Sequence, residues 1–143
     1  MTKRVIYLAH QLNAPTREGI EANRAAAAQW AGFLSRYFEV APECSWIVLT
    51  GVWEETPENR ELGIKVDLAL VEKCEEVVLV GPRVSSGMLT EARHARIKGI
   101  PVANMTGLPM DPMTIALAWL PSQQIDFEPK TRANERSSGE GTP

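Results

Sequence analysis

Two carboxylates stand where carboxylates are costly. Asp67 lies in Ile64-Lys65-Val66-Asp67-Leu68-Ala69-Leu70, a helical stretch that is otherwise apolar over a wide arc, and aspartate is a poor residue for a helix interior. Glu91 closes the run Ser85-Ser86-Gly87-Met88-Leu89-Thr90-Glu91, in the opening turns of a second helix. An apolar surround raises the pKa of Asp67 toward the form that can give a proton. A helix N-terminus favours the ionised form of Glu91. One protonated and one ionised carboxyl form the pair that acid and nucleophilic chemistry need. Both acids also have an ordinary account. Asp67 fits a solvent stripe beside Glu58, Arg60 and Lys73, and Glu91 fits an acid that offsets the helix macrodipole by about 0.3 to 1 kcal/mol.

The elements that must position these acids follow from the apolar pattern. Val5 to Ala9, Trp46 to Leu49, Val77 to Val80 and Ile100 to Ala103 are rich in β-branched residues and lack polar alternation, as in strands buried on both faces. Between them, Arg17 to Phe38 carries Ile20, Ala27, Trp30, Ala31, Leu34, Tyr37 and Phe38 on one stripe. Thr56-Pro57 gives an N-cap and a first-turn proline for a helix that reaches Lys73. Ser86-Gly87 opens a third helix to about Lys98, closed by Gly99, and Asp111-Pro112 opens a fourth that ends before Pro121. Alternating strands and helices imply a parallel sheet covered on both faces. The expected fold is therefore α/β, a flavodoxin-like (Rossmann-like) three-layer sandwich with four or five parallel strands. Ligands of such folds bind outside the carboxyl ends of the strands. That places His10 to Thr16, Thr50 to Thr56, Gly81 to Gly87 and Asn104 to Asp111 around a crevice, with Trp53 able to stack on a base or to pack against the first helix.

These loops lack the common phosphate motifs. No G-x-G-x-x-G or G-x-x-x-x-G-K-[ST] follows the first strand, which removes support for dinucleotide binding and for a P-loop. Val80-Gly81 and His10-Gln11 stand where a phospho-receiver domain needs acids, and His10-Gln11-Leu12-Asn13 replaces the hydroxyl-rich loop that would hold FMN. Glu91 and His94 form an E-x-x-H without the second copy that a di-iron site requires. No metal and no cofactor are expected.

Composition bounds the rest. The 143 residues have room for one core. A net charge of -3 without a basic block gives no footprint for polymeric nucleic acid, and no apolar run is long enough to cross a bilayer. Cys44 and Cys74 show no metal or disulfide spacing and read as buried thiols of a reducing, cytoplasmic compartment. Residues 126–143 contain only Phe127 and Ala133 as apolar side chains, too few to offset ordering entropy. The expected organisation is an α/β domain over 1–125 and a flexible C-terminal tail over 126–143.

The stretch from Asp67 through Glu-Lys-Cys-Glu-Glu-Val-Val-Leu-Val-Gly81, then Ser85-Ser86-Gly87, Glu91 and Lys98-Gly-Ile-Pro-Val102, resembles the nucleoside 2-deoxyribosyltransferase superfamily, which includes deoxynucleotide N-hydrolases. The opening Val5-Ile6-Tyr7-Leu8-Ala9 is similar to the start of that family, and the likeness covers about residues 4 to 105. Arg60-Glu-Leu-Gly63, the Gly81 turn and Ser86-Gly87-Met88 resemble a phage and bacterial branch of it. The resemblance implies that Glu91 attacks the anomeric carbon, that Asp67 works at the nucleobase and that Tyr7 holds the nucleophile. It implies that Ser85 meets the sugar, and the crevice loops add Ser86, Gly87, His10 and Trp53 as candidate substrate contacts. The implied ligand is a small nucleoside or nucleotide, and the implied assembly a homodimer or larger. Tyr7 and Ser85 keep ordinary alternatives, as a strand aromatic and as a turn or cap residue. The family often has a glycine- and arginine-rich turn after the first strand, where this chain has His10-Gln11, so a 5'-monophosphate is not implied, although Arg17 and Arg83 could meet an anion. A nucleotide-binding domain without turnover is the alternative function.

Overall fold

The computed structural model describes residues 2–119, so the expected tail lies outside the described residues. The elements run β1 (Arg4–Ala9), α1 (Arg17–Tyr37), β2 (Val40–Glu43), α2 (Trp46–Val52), α3 (Pro57–Val71), β3 (Glu76–Leu79), α4 (Ser86–Ile97), β4 (Val102–Asn104) and α5 (Pro112–Trp119). The four strands are all parallel, in the order β2-β1-β3-β4. This is the α/β, flavodoxin-like three-layer architecture, and the order reverses direction between β1 and β3, where such sheets open a crevice.

Both faces of the sheet are covered, which explains strands that are apolar without alternation. Ile6, Leu8, Val78, Val80 and Ala103 face α1 and α5 through Trp30, Leu34, Ile115 and Trp119. Tyr7, Ala9, Val77, Leu79 and Val102 face the other layer, where Trp46, Val71, Met88, Ala92 and Ala95 of α2, α3 and α4 pack. Side-chain caps set the helix starts. The hydroxyls of Thr16 and Thr56 accept the N–H groups of Gly19 and Asn59, each at 3.1 Å, and the Asp111 carboxylate accepts Thr114 N–H at 2.9 Å ahead of α5. Helix α4 is capped by Ser85, whose hydroxyl accepts Met88 N–H at 3.4 Å. Cys74 is buried, Cys44 is half-buried, and both are free thiols.

The second strand is not where the apolar run places it. Trp46 to Leu49 belongs to α2, and β2 is Val40–Glu43, paired with β1 from Arg4↔Val40 to Tyr7↔Glu43. A short apolar run does not distinguish strand from helix by itself. Tertiary geometry decides it. The chain leaves α1 at Phe38 and enters the sheet at once, and the Pro42 that weakens a strand reading is tolerated because β2 is an edge. The carbonyls of Val5 and Ala9 bond toward β3, so that of Leu8 points the other way, past the last β1–β2 pair. Trp46 Nε1 donates to this carbonyl at 2.9 Å in the interior. The indole thus ends the ladder and starts the helix. Trp46→Phe should leave the Leu8 oxygen buried and unpaired, lowering stability in urea unfolding by about 1 to 3 kcal/mol.

Candidate active site

The three residues of the acid chemistry meet at the switch point. Tyr7 comes from β1, Asp67 from α3 and Glu91 from α4. The Tyr7 hydroxyl donates to Glu91 Oε2 at 2.8 Å, and the Glu91 and Asp67 carboxyls are hydrogen-bonded to each other. Tyr7 is fully buried, while both acids are half-buried on the wall of a cleft of about 600 Å³, within the usual range for small-molecule sites.

Their protonation follows from this packing. Burial, then the charges of Glu91 and Asp67, push the Tyr7 phenol far above its ordinary range, so it remains a donor. Burial raises Asp67 to about 6, although the hydrogen bonds from Glu91 and Tyr7 pull it down; the Glu43 charge adds to the rise. Asp67 moves as the sequence suggests. Glu91 moves the opposite way: the protein around it, then the Asp67 charge, raise it well above the usual carboxylate range, against the Tyr7 hydrogen bond. The expectation of an ionised Glu91 fails because the residue lies beyond the first turn of α4, which contains no acid, and the dipole acts only within that turn. Both carboxyls are thus pushed toward their protonated forms, and they titrate as a coupled pair.

The remaining candidates also line this cleft. Ser85, Ser86 and Gly87 form its edge at the start of α4, Trp53 comes from the end of α2, and His10 follows β1. His10 is buried, and because its Nδ1 meets the Gln11 carbonyl at 2.7 Å, that nitrogen carries the proton. Gly81 makes room for the ring: its φ is +102°, and a Cβ there would lie 2.7 Å from His10 Nε2. Arg83 lies at the cleft and donates to Gln11 Oε1 at 3.3 Å; Arg17, at the start of α1, does not line it. His94 turns away to Glu72, with Nε2 2.7 Å from its carboxylate. Among the described residues no three His, Cys, Asp or Glu side chains are grouped to hold a metal ion.

Sequence reasoning missed part of the wall. Asn59, Arg60, Gly63 and Ile64 line the cleft together with Asp67, as does Trp46, while Thr50, Glu54 and Glu55 line it from the segment expected there. The signal was present on α3, where positions 59, 63 and 67 are spaced by four and share one face. Gly63 lies beside Trp53, where a Cβ would make an ordinary contact with the indole at 3.7 Å.

The fold and site together define a doubly wound α/β domain with a carboxyl pair at its switch point. A family model described as a domain of unknown function, DUF7768, matches residues 5–105, and the chain belongs to that family. The matched segment contains Tyr7, Asp67 and Glu91. Comparison with curated proteins gives no match.

Proposed function

We propose that this cleft cleaves or transfers the N-glycosidic bond of a nucleoside or nucleotide, with Glu91 as nucleophile. The observation that carries the reading is the Tyr7–Glu91–Asp67 cluster, with Tyr7 bonded to Glu91 at 2.8 Å, on the wall of a nucleoside-sized cleft. The resemblance to the nucleoside 2-deoxyribosyltransferase superfamily points the same way, at the same residues. In this reading the Glu91 proton passes to Asp67 as the substrate settles, and the Tyr7 hydrogen bond supports the carboxylate left behind. A Glu91 oxygen bonds to the anomeric carbon while the bond from that carbon to the base nitrogen breaks and the base takes the Asp67 proton. The resulting glycosyl ester is opened by water, whose proton returns to Asp67, or by a second base. Trp53 stacks on the base and Ser85 to Gly87 meet the sugar. These chemical steps require no cofactor, and a neighbouring copy of the chain closes the cleft if the family's assembly is kept.

The test is a panel of deoxynucleosides, ribonucleosides and their 5'-monophosphates, with free base followed by chromatography. Wild type should release base from at least one substrate, and Glu91→Ala should not. Equal release by both proteins across the panel defeats the proposal. The second reading, binding without turnover, draws on His10 and Gln11, which line the cleft at the end of β1 and could hold the sugar away from Glu91. It predicts a calorimetric binding signal with no base released.

A further inference from the structure

A third carboxylate stands behind the pair. Tyr7 and Glu43 are register partners in the β1–β2 ladder, and partners in a parallel pair point to the same side of the sheet. Glu43 is therefore beside Tyr7 on the face that carries Asp67 and Glu91. It is half-buried and does not line the cleft. Its carboxylate is also held in place: Oε2 accepts the Ser45 N–H at 2.9 Å and the Ser45 hydroxyl at 2.5 Å. A fixed anion next to the site, out of reach of a ligand in the cleft, acts on its neighbours through charge.

We propose that Glu43 is a positioning residue of the carboxyl pair, a clamped negative charge that disfavours charge on Asp67 and so keeps a proton on the pair to higher pH. The catalytic consequence rests on the function proposed above; the assignment itself does not. Among its neighbours, the Tyr7 phenol and the Asp67 carboxyl are both raised by Glu43, with burial the larger cause for each. The Cys44 and Cys74 thiols are raised by Glu43 as well, again chiefly by burial, so they remain neutral. The other titratable or charged groups at the cleft are His10, Arg83, Glu54 and the Arg60–Glu55 ion pair at 3.0 Å. The two cations at the cleft, Arg60 and Arg83, are both exposed, where solvent weakens their effect on the pair.

The ordinary account is that Glu43 only caps the start of α2. Glu43→Gln separates the two, because the amide oxygen still accepts the Ser45 N–H while the charge is gone. The titration midpoint of the Asp67 carboxyl is read by carbon-13 NMR in the full chain between pH 4 and 9. In Glu43→Gln it should fall by about half to one pH unit, and in Ser45→Ala, which keeps the charge, it should remain near the wild-type value. An unmoved midpoint in Glu43→Gln, or an equal fall in Ser45→Ala, overturns the proposal. If Glu43→Gln does not fold, Glu43→Thr replaces it, with the same two outcomes. This titration needs no turnover, so a wild type that releases no base defeats the proposed activity and leaves the Glu43 assignment to be decided by NMR. Where base is released, Glu43→Gln should also move the alkaline limb of kcat/KM to lower pH, because the pair gives up its protons earlier.

Discussion

Glu91→Gln is expected to lower the rate of base release by roughly four orders of magnitude or more while the protein stays folded. The size of the effect follows from removing a nucleophile, for which neither Tyr7 nor Asp67 can substitute. Folding should survive because burial pushes Glu91 toward its protonated form, and a primary amide has nearly the shape and hydrogen-bonding capacity of a neutral carboxyl. The amide introduced by Glu91→Gln can still accept from Tyr7 and donate to Asp67, the two contacts that Glu91 makes. Steady-state rates on the best substrate of the panel, paired with a thermal melt, separate loss of chemistry from loss of fold. A variant that retains a tenth of wild-type activity would remove Glu91 from the nucleophile role.

The second large effect concerns Asp67 and the pH dependence of stability. Asp67 has a folded pKa of about 6 against an ordinary value of 3.8, so between these pH values the folded chain holds a proton that the unfolded chain has released. The folded state binds more protons, and the contribution of this group to stability falls as pH rises through the window. Its stabilising share is complete below the ordinary value and lost above about pH 6. The difference amounts to about 2 to 3 kcal/mol, taken at the low side because the group is half-exposed to the cleft. Other carboxyls act in the opposite sense. Asp111 is lowered by its Thr114 hydrogen bonds and Glu72 by His94, so both favour the fold at higher pH. The clean measurement is therefore the difference between Asp67→Asn and wild type. It should be near zero at pH 4, where Asp67 resembles the amide, and should grow in favour of the variant to its plateau above about pH 7. The same variant should lose about 10²- to 10³-fold in base release, because no group remains to protonate the departing base. A stability difference that does not change with pH would show that Asp67 titrates normally.

Much of the fold was legible because buried parallel strands and capped helices leave local marks. Thr56-Pro57, Asp111-Pro112 and the β-branched runs at β1 and β3 carry their structure in a few neighbouring residues. The run from Trp46 to Leu49 carries no such information. It becomes a helix because Val40–Glu43 takes the edge of the sheet and because a single carbonyl, that of Leu8, needs the Trp46 indole.

The site divides along the same line. Asp67 could be singled out from sequence because a lone acid in an apolar helical stretch conflicts with local propensity, and Glu91 because of the run that precedes it. Residue types and spacing also fixed the layer order in outline and the loops that form the crevice. Only the tertiary structure decided that Tyr7, Glu91 and Asp67 touch, that Glu43 stands beside them on the same face, and that Glu91 is raised toward its protonated form and not lowered. Proton affinity depends on how much protein replaces water around a group and on which charges surround it, and both are settled by chain segments far apart in sequence. Helix position, the local signal for Glu91, pointed the other way and was outweighed.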